Sequence, residues 1–403
     1  MPYGTTFVSL VTMPHQVSIG CRGERGYTGG NIDPMGLTMR TILASSFALV
    51  LSAAFMGCVV EDQFVDVVDP PDPTDPTDPT DPGGPDPVDN RPVYQSCVDG
   101  AVPVDLPTED WRHSIATPLT VAIGDPWHSA QDLVVADGSP VVIGGKFSYG
   151  FISKDLEDER VEVWIDDCAG AYRLLGDGLT NSDGRVALSL SAPEVPAVGE
   201  YGLYFRVAGD NSTARAILRV YPIDTRFIVF DIDATLTTSD SSLIGQSVSE
   251  ILGGDMIPEP RPGAREIVDL RFAQHGYEIL YLTGRPYLLD GITRDWLIDL
   301  GFPGGTVHLT DDVANSWPSD SQVGAYKADF LYSIIDAGFI VEAAYGNATS
   351  DIYAYEQADI AKDRTYILGE NGGTADTVAL GEGYLEHIEV IRDEPATTQP
   401  FRR

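Results

Sequence analysis

The sequence predicts two folded domains in series, an all-β sandwich and then an α/β domain built on a three-layer, doubly wound parallel sheet. Short β-rich runs separated by turn residues fill residues 93–222, and regular spacing of that kind is the mark of a sandwich. After Thr225 apolar strands alternate with helical stretches, the order that a parallel sheet requires. With 403 residues, 43% of them hydrophobic and 9% aromatic, the chain exceeds one ordinary domain and can bury a sizeable core, which excludes wholesale disorder.

Charge narrows the partners. There are 61 Asp and Glu against 25 Lys and Arg, a formal net charge of −36. No cluster of Lys or Arg forms the basic stripe that phosphate backbones need, so nucleic acid is excluded as a partner. The acidic surface favours solubility and repels polyanions, but it says nothing about fold.

The N-terminal region reads as an export signal. From Met39 the chain runs MRTILASSFALVLSAAFMGC, with Arg40 as a short basic region, an apolar stretch over 42–55 and Cys58 after a small residue. The stretch is too short to span a bilayer. It resembles a bacterial lipoprotein signal, which implies lipidation at Cys58 and a membrane-anchored protein facing the periplasm or cell surface; an ordinary signal peptide is the other reading. A signal this far inside the chain places the true start at Met35 or Met39, with 1–58 as leader. Residues 59–92 follow as a linker, a Pro-Thr-Asp repeat with ten acids and no base before Arg91, extended and self-repelling. Cys97 and Cys168 are an even pair that could close one disulfide in an oxidising compartment, or remain two buried thiols.

Within the sandwich, Val186, Leu188 and Leu190 alternate, as do Leu203, Phe205 and Val207, each set filling one inner face. Asp183-Gly184 reads as a tight hairpin signal. His113 and His128 stand alone, and no nucleophile with its base is present in this region.

The chemistry is concentrated in residues 223–395, with 396–403 as a tail. RFIVF, the strand at 226–230, delivers Asp231-Ile232-Asp233-Ala234-Thr235 to its carboxyl end, where α/β sheets bind ligands. Two carboxylates at i and i+2 suit phosphoryl transfer: one attacks phosphorus and the other handles the leaving-group proton. Their mutual repulsion calls for a divalent cation, Mg²⁺ by its preference for oxygen ligands. A strand at 277–282 ends in Thr283-Gly284-Arg285-Pro286, which offers a hydroxyl and a backbone amide to phosphate. Lys327 opens the helical stretch AYKADFLYSIIDAG, and a strand at 339–344 leads to Asn347 and Asp351, able to complete a metal shell.

This ordered set resembles the haloacid dehalogenase superfamily: DIDAT, LTGRP, Lys327 and GNATSD stand in its motif order, each after a predicted strand or on the following helix. The resemblance implies that Asp231 is the phosphorylated nucleophile, Asp233 the general acid and base, Thr283 a phosphate ligand and Lys327 the stabiliser of phosphoaspartate. Asp231, Asp233, Asn347 and Asp351 would hold Mg²⁺, and Thr235, Gly284 and Arg285 would contact substrate. Over about 226–373, DIDATLTTSD, HGYEILYLTGRP and AAYGNATSDIYAYEQADIAKDRTYILGENG look like the lipin-type phosphatidate phosphatase domain. That domain also stands at the C-terminus of retinal degeneration B-type phosphatidylinositol transfer proteins. The sandwich then corresponds to an immunoglobulin-like region preceding it. Ala234 replaces the Gly of the lipin pattern.

The intervals 233–283 and 283–327 leave no room for a large cap, so the site is uncapped and suits a phosphate on a bulky body such as a lipid. The expectation is therefore an exported, Mg²⁺-dependent phosphomonoester hydrolase that turns phosphatidate into diacylglycerol. Two rivals stand beside it: a phosphatase of soluble or protein phosphomonoesters, and a non-catalytic lipid- or surface-binding module.

Overall fold

The computed structural model describes residues 106–150, 153–167, 172–238, 259–310 and 320–400. Of the N-terminal unit, Met1–Val88, it describes only the strand segments Val8–Thr12, His15–Ile19 and Val60–Glu61. Cys58, with its expected lipidation, and Cys97 and Cys168, with their expected disulfide, lie outside the described residues. Among the described residues no helix is long and apolar enough to cross a membrane.

The second unit, Asp89–Arg403, opens with a short helix α1 (Ala116–Val121) and a sandwich. Its strands are β1 (Ser129–Ala130), β2 (Leu133–Ala136), β3 (Val141–Lys146), β4 (Ser148–Tyr149), β5 (Lys154–Asp155), β6 (Arg160–Asp166), β7 (Tyr172–Leu179), β8 (Arg185–Leu190), β9 (Gly199–Val207) and β10 (Thr213–Tyr221). One sheet has the order β7-β6-β9-β10-β2 and faces a smaller one of order β8-β3-β1, while β4 and β5 pair separately. All pairings are antiparallel except β10 with β2. Alternation builds the core: Val161, Val163 and Ile165 of β6 and Leu203, Phe205 and Val207 of β9 meet Ile143, Phe147, Val186 and Leu190 from the other layer. Leu188 is only partly buried at its edge.

Asp183-Gly184 does turn the chain, with Gly184 at φ 65° and Asn181 Oδ1 accepting from the Asp183 and Arg185 amides. The strands it joins, β7 and β8, belong to different sheets. The signal therefore marks a sheet-to-sheet crossing and not a hairpin. A Cβ at Gly184 would come within 2.3 Å of the Phe147 carbonyl oxygen, so the turn requires glycine for space as well as for φ.

The chain passes without a linker from β10 into β11 (Arg226–Phe230), the first strand of a six-stranded parallel sheet. With β12 (Glu278–Pro286), β13 (Thr306–Thr310), β14 (Ile340–Gly346), β15 (Thr365–Ile367) and β16 (Val378–Ala379) the order is β13-β12-β11-β14-β15-β16. Every neighbouring pair is parallel. The strand order reverses between β11 and β14, the switch point where such sheets bind ligands.

Because β11 is apolar on both faces, it can be central. Ile228 and Phe230 pack toward α2 (Ala264–Asp269), α3 (Asp290–Asp299) and α6 (Leu385–Ile391), whereas Phe227 and Val229 pack toward α4 (Asp320–Asp336) and α5 (Thr349–Gln357). This is the expected three-layer arrangement. α4 begins well before the stretch that the sequence marked as helix, and Gly338, at φ 91°, ends its last turn. Tyr221 at the end of β10 packs edge-on against Phe227, so the sandwich shares a core with this sheet.

Candidate functional site

Asp231 leaves the carboxyl end of β11 with its amide donating to the Tyr345 carbonyl of β14, which sets the loop at the switch point. Its Oδ1 accepts from Lys327 Nζ at 2.6 Å and its Oδ2 from the Thr235 hydroxyl at 2.8 Å. The same ammonium donates to Asp351 Oδ1 at 2.6 Å. Lys327 sits in the third turn of α4 and not at its start, and it is 2% exposed. Asp351 is fixed in turn by the Asn347 and Ala348 amides, both 3.0 Å from its Oδ2, where it caps α5. Gly346 makes room for this cap, since a Cβ there would meet Asp351 Cβ at 2.6 Å.

Asp233 is engaged differently. Arg285 forks it through Nε at 3.0 Å and Nη2 at 2.8 Å, and the Thr283 hydroxyl donates to it at 3.0 Å. Arg285 Nη1 is itself held by the Thr293 hydroxyl of α3 at 3.0 Å. Asn347 Oδ1 lies 3.1 Å from the Thr235 hydroxyl. Gly284 faces away from the carboxylates, with a Cβ there meeting Val323 Cγ1 at 3.0 Å. Its Cα side is thus packed against α4.

The loop carries strain. Ala234 takes φ 52°, the left-handed region where a side chain costs energy and glycine does not. Its carbonyl accepts from Arg261 Nε at 2.8 Å and its amide donates to the Thr237 hydroxyl at 2.9 Å. Tyr384 donates to the neighbouring Thr235 carbonyl at 3.1 Å.

Burial pushes the Asp231 carboxyl up to about 7, with Lys327 pulling it down and Asp351 and Asp233 pushing it further up. Burial opposes the charge on Lys327, but Asp231 and Asp351 more than offset it and hold its pKa above the ordinary value. The fold thus brings Asp231, Asp233, Thr235, Thr283, Arg285, Lys327 and Asp351, all buried, and the half-buried Asn347 together at the switch point. The resemblance implied that Arg285 contacts substrate, and in the structure its guanidinium is paired with Asp233.

The oxygen donors meant for Mg²⁺ are already committed. Both oxygens of Asp231, Asp233 and Asp351 accept from an ammonium, a guanidinium, a hydroxyl or backbone amides. Among the described residues no group of three or more His, Cys, Asp or Glu side chains could hold a metal ion. In this arrangement Lys327 bridges the two aspartates that a cation would join. A cation would have to displace it.

Comparison with known proteins places both domains. Residues 126–220 match the family model described as PITM 1-3, beta-sandwich domain, and residues 228–369 match PITM 1-3, LNS2 domain. The α/β domain is thus similar to the LNS2 domain of that family, and the region before it to the family's β-sandwich domain. Membrane-associated phosphatidylinositol transfer protein 3 of Homo sapiens is 31% identical over 270 residues, 66% of this chain and 26% of that protein. The human protein 1 is 30% identical over 289 residues, covering 70% of this chain and 22% of that protein. Drosophila melanogaster retinal degeneration B is 29% identical over 270 residues, 65% of this chain and 20% of its own length. This chain therefore spans about a quarter or less of the curated relatives it matches.

These findings correct four expectations. Relatives sharing both domains are named as phosphatidylinositol transfer proteins, which overturns the Mg²⁺-dependent phosphatase and its phosphatidate hydrolysis. The hydrolase and lipoprotein descriptions fall with it. The same names, membrane-associated proteins of animals, overturn the exported, periplasmic lipoprotein. In the structure Arg285 takes both oxygens of Asp233, the carboxylate that the haloacid dehalogenase motifs would make the general acid.

Neither domain pairing nor Arg285 geometry was available from spacing. Also missed were Thr293, a hydroxyl on α3 that holds Arg285, and Arg261, which holds the Ala234 carbonyl. Only the position of Arg261 just before a helix start hinted at it.

Proposed function

We propose that the LNS2-type domain recognises a membrane phospholipid through the phosphate of its headgroup and does not turn it over. The observation that carries this reading is the pairing of two almost fully buried cations, Arg285 and Lys327, with the Thr235 and Thr283 hydroxyls at the switch point of a parallel sheet. A guanidinium fork fits two oxygens of a phosphate as well as those of a carboxylate. A phosphate group arriving at the site exchanges with Asp233 on Arg285, and the two threonine hydroxyls are donors for its remaining oxygens. The carboxyl of Asp231, poised near 7, takes up a proton with little cost and so limits repulsion of the incoming anion. A phosphomonoester headgroup such as that of phosphatidate offers the most oxygens and charge, so it is favoured over a phosphodiester.

The relatives are named for phosphatidylinositol and for membrane association, which supports a lipid ligand over a soluble one. The test is titration of the full chain with short-chain phosphatidate, with phosphatidylinositol and with phosphatidylcholine, followed calorimetrically. Binding in that order of strength, weakened in Arg285→Lys because lysine cannot fork, is the expected outcome. Equal response to phosphatidylcholine, or no effect of Arg285→Lys, would reject the site.

A further inference from the structure

We infer that Gln131 and Asp132 of the sandwich, with Arg294 of α3, are positioning residues that set where Arg285 sits, and hence how tightly the site holds a phosphate. The inference rests on the phosphate reading above and names what regulates that site.

Arg285 is held from two directions. Its Nη1 donates to the Thr293 hydroxyl on α3 at 3.0 Å, and its carbonyl accepts from the Thr310 hydroxyl at the end of β13, at 3.2 Å. Two consecutive sandwich residues grip both of those elements. Asp132 Oδ1 accepts from Arg294 Nη1 at 3.0 Å, and Arg294 is the next residue after Thr293. The Oδ2 of Asp132 accepts from the Val307 amide of β13 at 3.0 Å. The Gln131 amide completes the grip, donating to the Leu309 carbonyl at 2.7 Å and accepting from the Leu309 amide at 3.2 Å. β13 is the outer strand of the sheet among the described residues, and these side chains, with the Tyr326 hydroxyl on the Leu309 carbonyl, satisfy backbone groups along its edge.

Asp132 is 1% exposed, and Arg219 and the Ile217 amide also donate to it. Arg294 donates through Nε to Asp290 at 2.9 Å. Its Nη2 is buried with no hydrogen-bond partner. A buried charge cluster that leaves a donor unpaired is a poor source of stability, because apolar packing of the same volume does as well or better. What the cluster supplies is direction: it fixes the rotation and height of α3 against the sandwich, and with them the Thr293 hydroxyl.

The test uses the full chain and compares Asp132→Asn, Arg294→Lys, Thr293→Val and the double variant Asp132→Asn/Thr293→Val. Two signals are read: cosedimentation with phosphatidylcholine vesicles containing phosphatidate, and the Arg285 Nε–Hε resonance, assigned by its loss in Arg285→Lys. Each single substitution is expected to shift that resonance and to weaken vesicle binding roughly tenfold, the equivalent of one hydrogen bond to a charged group. The double variant is expected to be no weaker than the worse single one, because both lie on one relay. Lower thermal stability with unchanged vesicle affinity and an unmoved resonance would show a merely structural role and overturn the inference. So would full additivity in the double variant. Should Asp132→Asn fail to fold, Arg294→Lys, which keeps the charge and loses the fork, decides by the same two signals. If the wild-type chain ignores phosphatidate vesicles, the phosphate reading fails on its own, and the resonance still decides the relay.

Discussion

Two buried charge clusters among the described residues, one at the switch point and one between the domains, hold their central acids differently. In the switch-point cluster, three aspartates share Lys327 and Arg285, and almost every member comes from a recognisable motif at a strand end. In the interdomain cluster, Asp132, Arg219, Arg294 and Asp290 meet across the seam of the two domains, and no motif announces them. The first leaves acidic groups in excess of cations, and burial drives Asp231 up to about 7. The second does the reverse to its central acid: burial pushes Asp132 up, but Arg294 and Arg219 prevail and hold it below the usual carboxylate range. The second cluster's other acid, Asp290, is pushed up by burial to about 6, with Arg294 pulling it down, so what separates the clusters is the central acid: raised in the first, held charged by two arginines in the second.

The largest break in this contrast is expected from Lys327→Met. It strands Asp231 and Asp351 without their shared cation, and removal of one partner from a buried ion pair costs about 3–5 kcal/mol, to be read from urea unfolding of the full chain. Arg294→Met is expected to cost somewhat less, about 3 kcal/mol, because Asp132 keeps Arg219 and its backbone donors. A loss at Arg294 exceeding that at Lys327 would reverse the ranking of the two clusters.

Acid sharpens the comparison differently. Burial lowers His128 and His387 to about 4 and His308 to about 3, from an ordinary 6.5. The unfolded chain takes up protons from about pH 6.5 downward while these buried imidazoles stay neutral. Stability is therefore full above 6.5 and falls as pH drops through 4 toward 3. His308 stacks on Phe330 at 3.8 Å between ring centroids, beside the interdomain cluster, so His308→Phe should flatten that slope in a pH series of thermal unfolding. The smallest effect is at Ala234. Its left-handed φ of 52° costs an alanine about 1 kcal/mol relative to glycine, and Ala234→Gly is expected to raise stability by about that amount.

How much of this was legible in the sequence follows from the same contrast. The parallel sheet, its central strand at 226–230 and the convergence of Asp231, Asp233, Thr283, Lys327, Asn347 and Asp351 could be read because each residue sits at a fixed offset from a strand end or on the helix that follows. What those residues do could not be read so easily. Whether Arg285 points to a ligand or to Asp233 depends on a rotamer set by Thr293, and Thr293 is placed by the packing of α3. The hairpin reading of Asp183-Gly184 failed for a related reason: a turn motif fixes the local reversal of the chain, whereas the sheet that each flanking strand joins is decided by long-range pairing. The interdomain cluster joins residues 132, 219, 290 and 294, with no local pattern that links them.

The central claim, recognition of a phosphorylated headgroup without turnover, is tested most directly in one experiment on the full chain. Flotation with phosphatidylcholine vesicles, with and without phosphatidate, is combined with assay of inorganic phosphate in the same tubes. Flotation that depends on phosphatidate and is weakened in Arg285→Lys, with no phosphate released, is the result expected. Phosphate release abolished by Asp231→Asn, or flotation indifferent to phosphatidate, would contradict it.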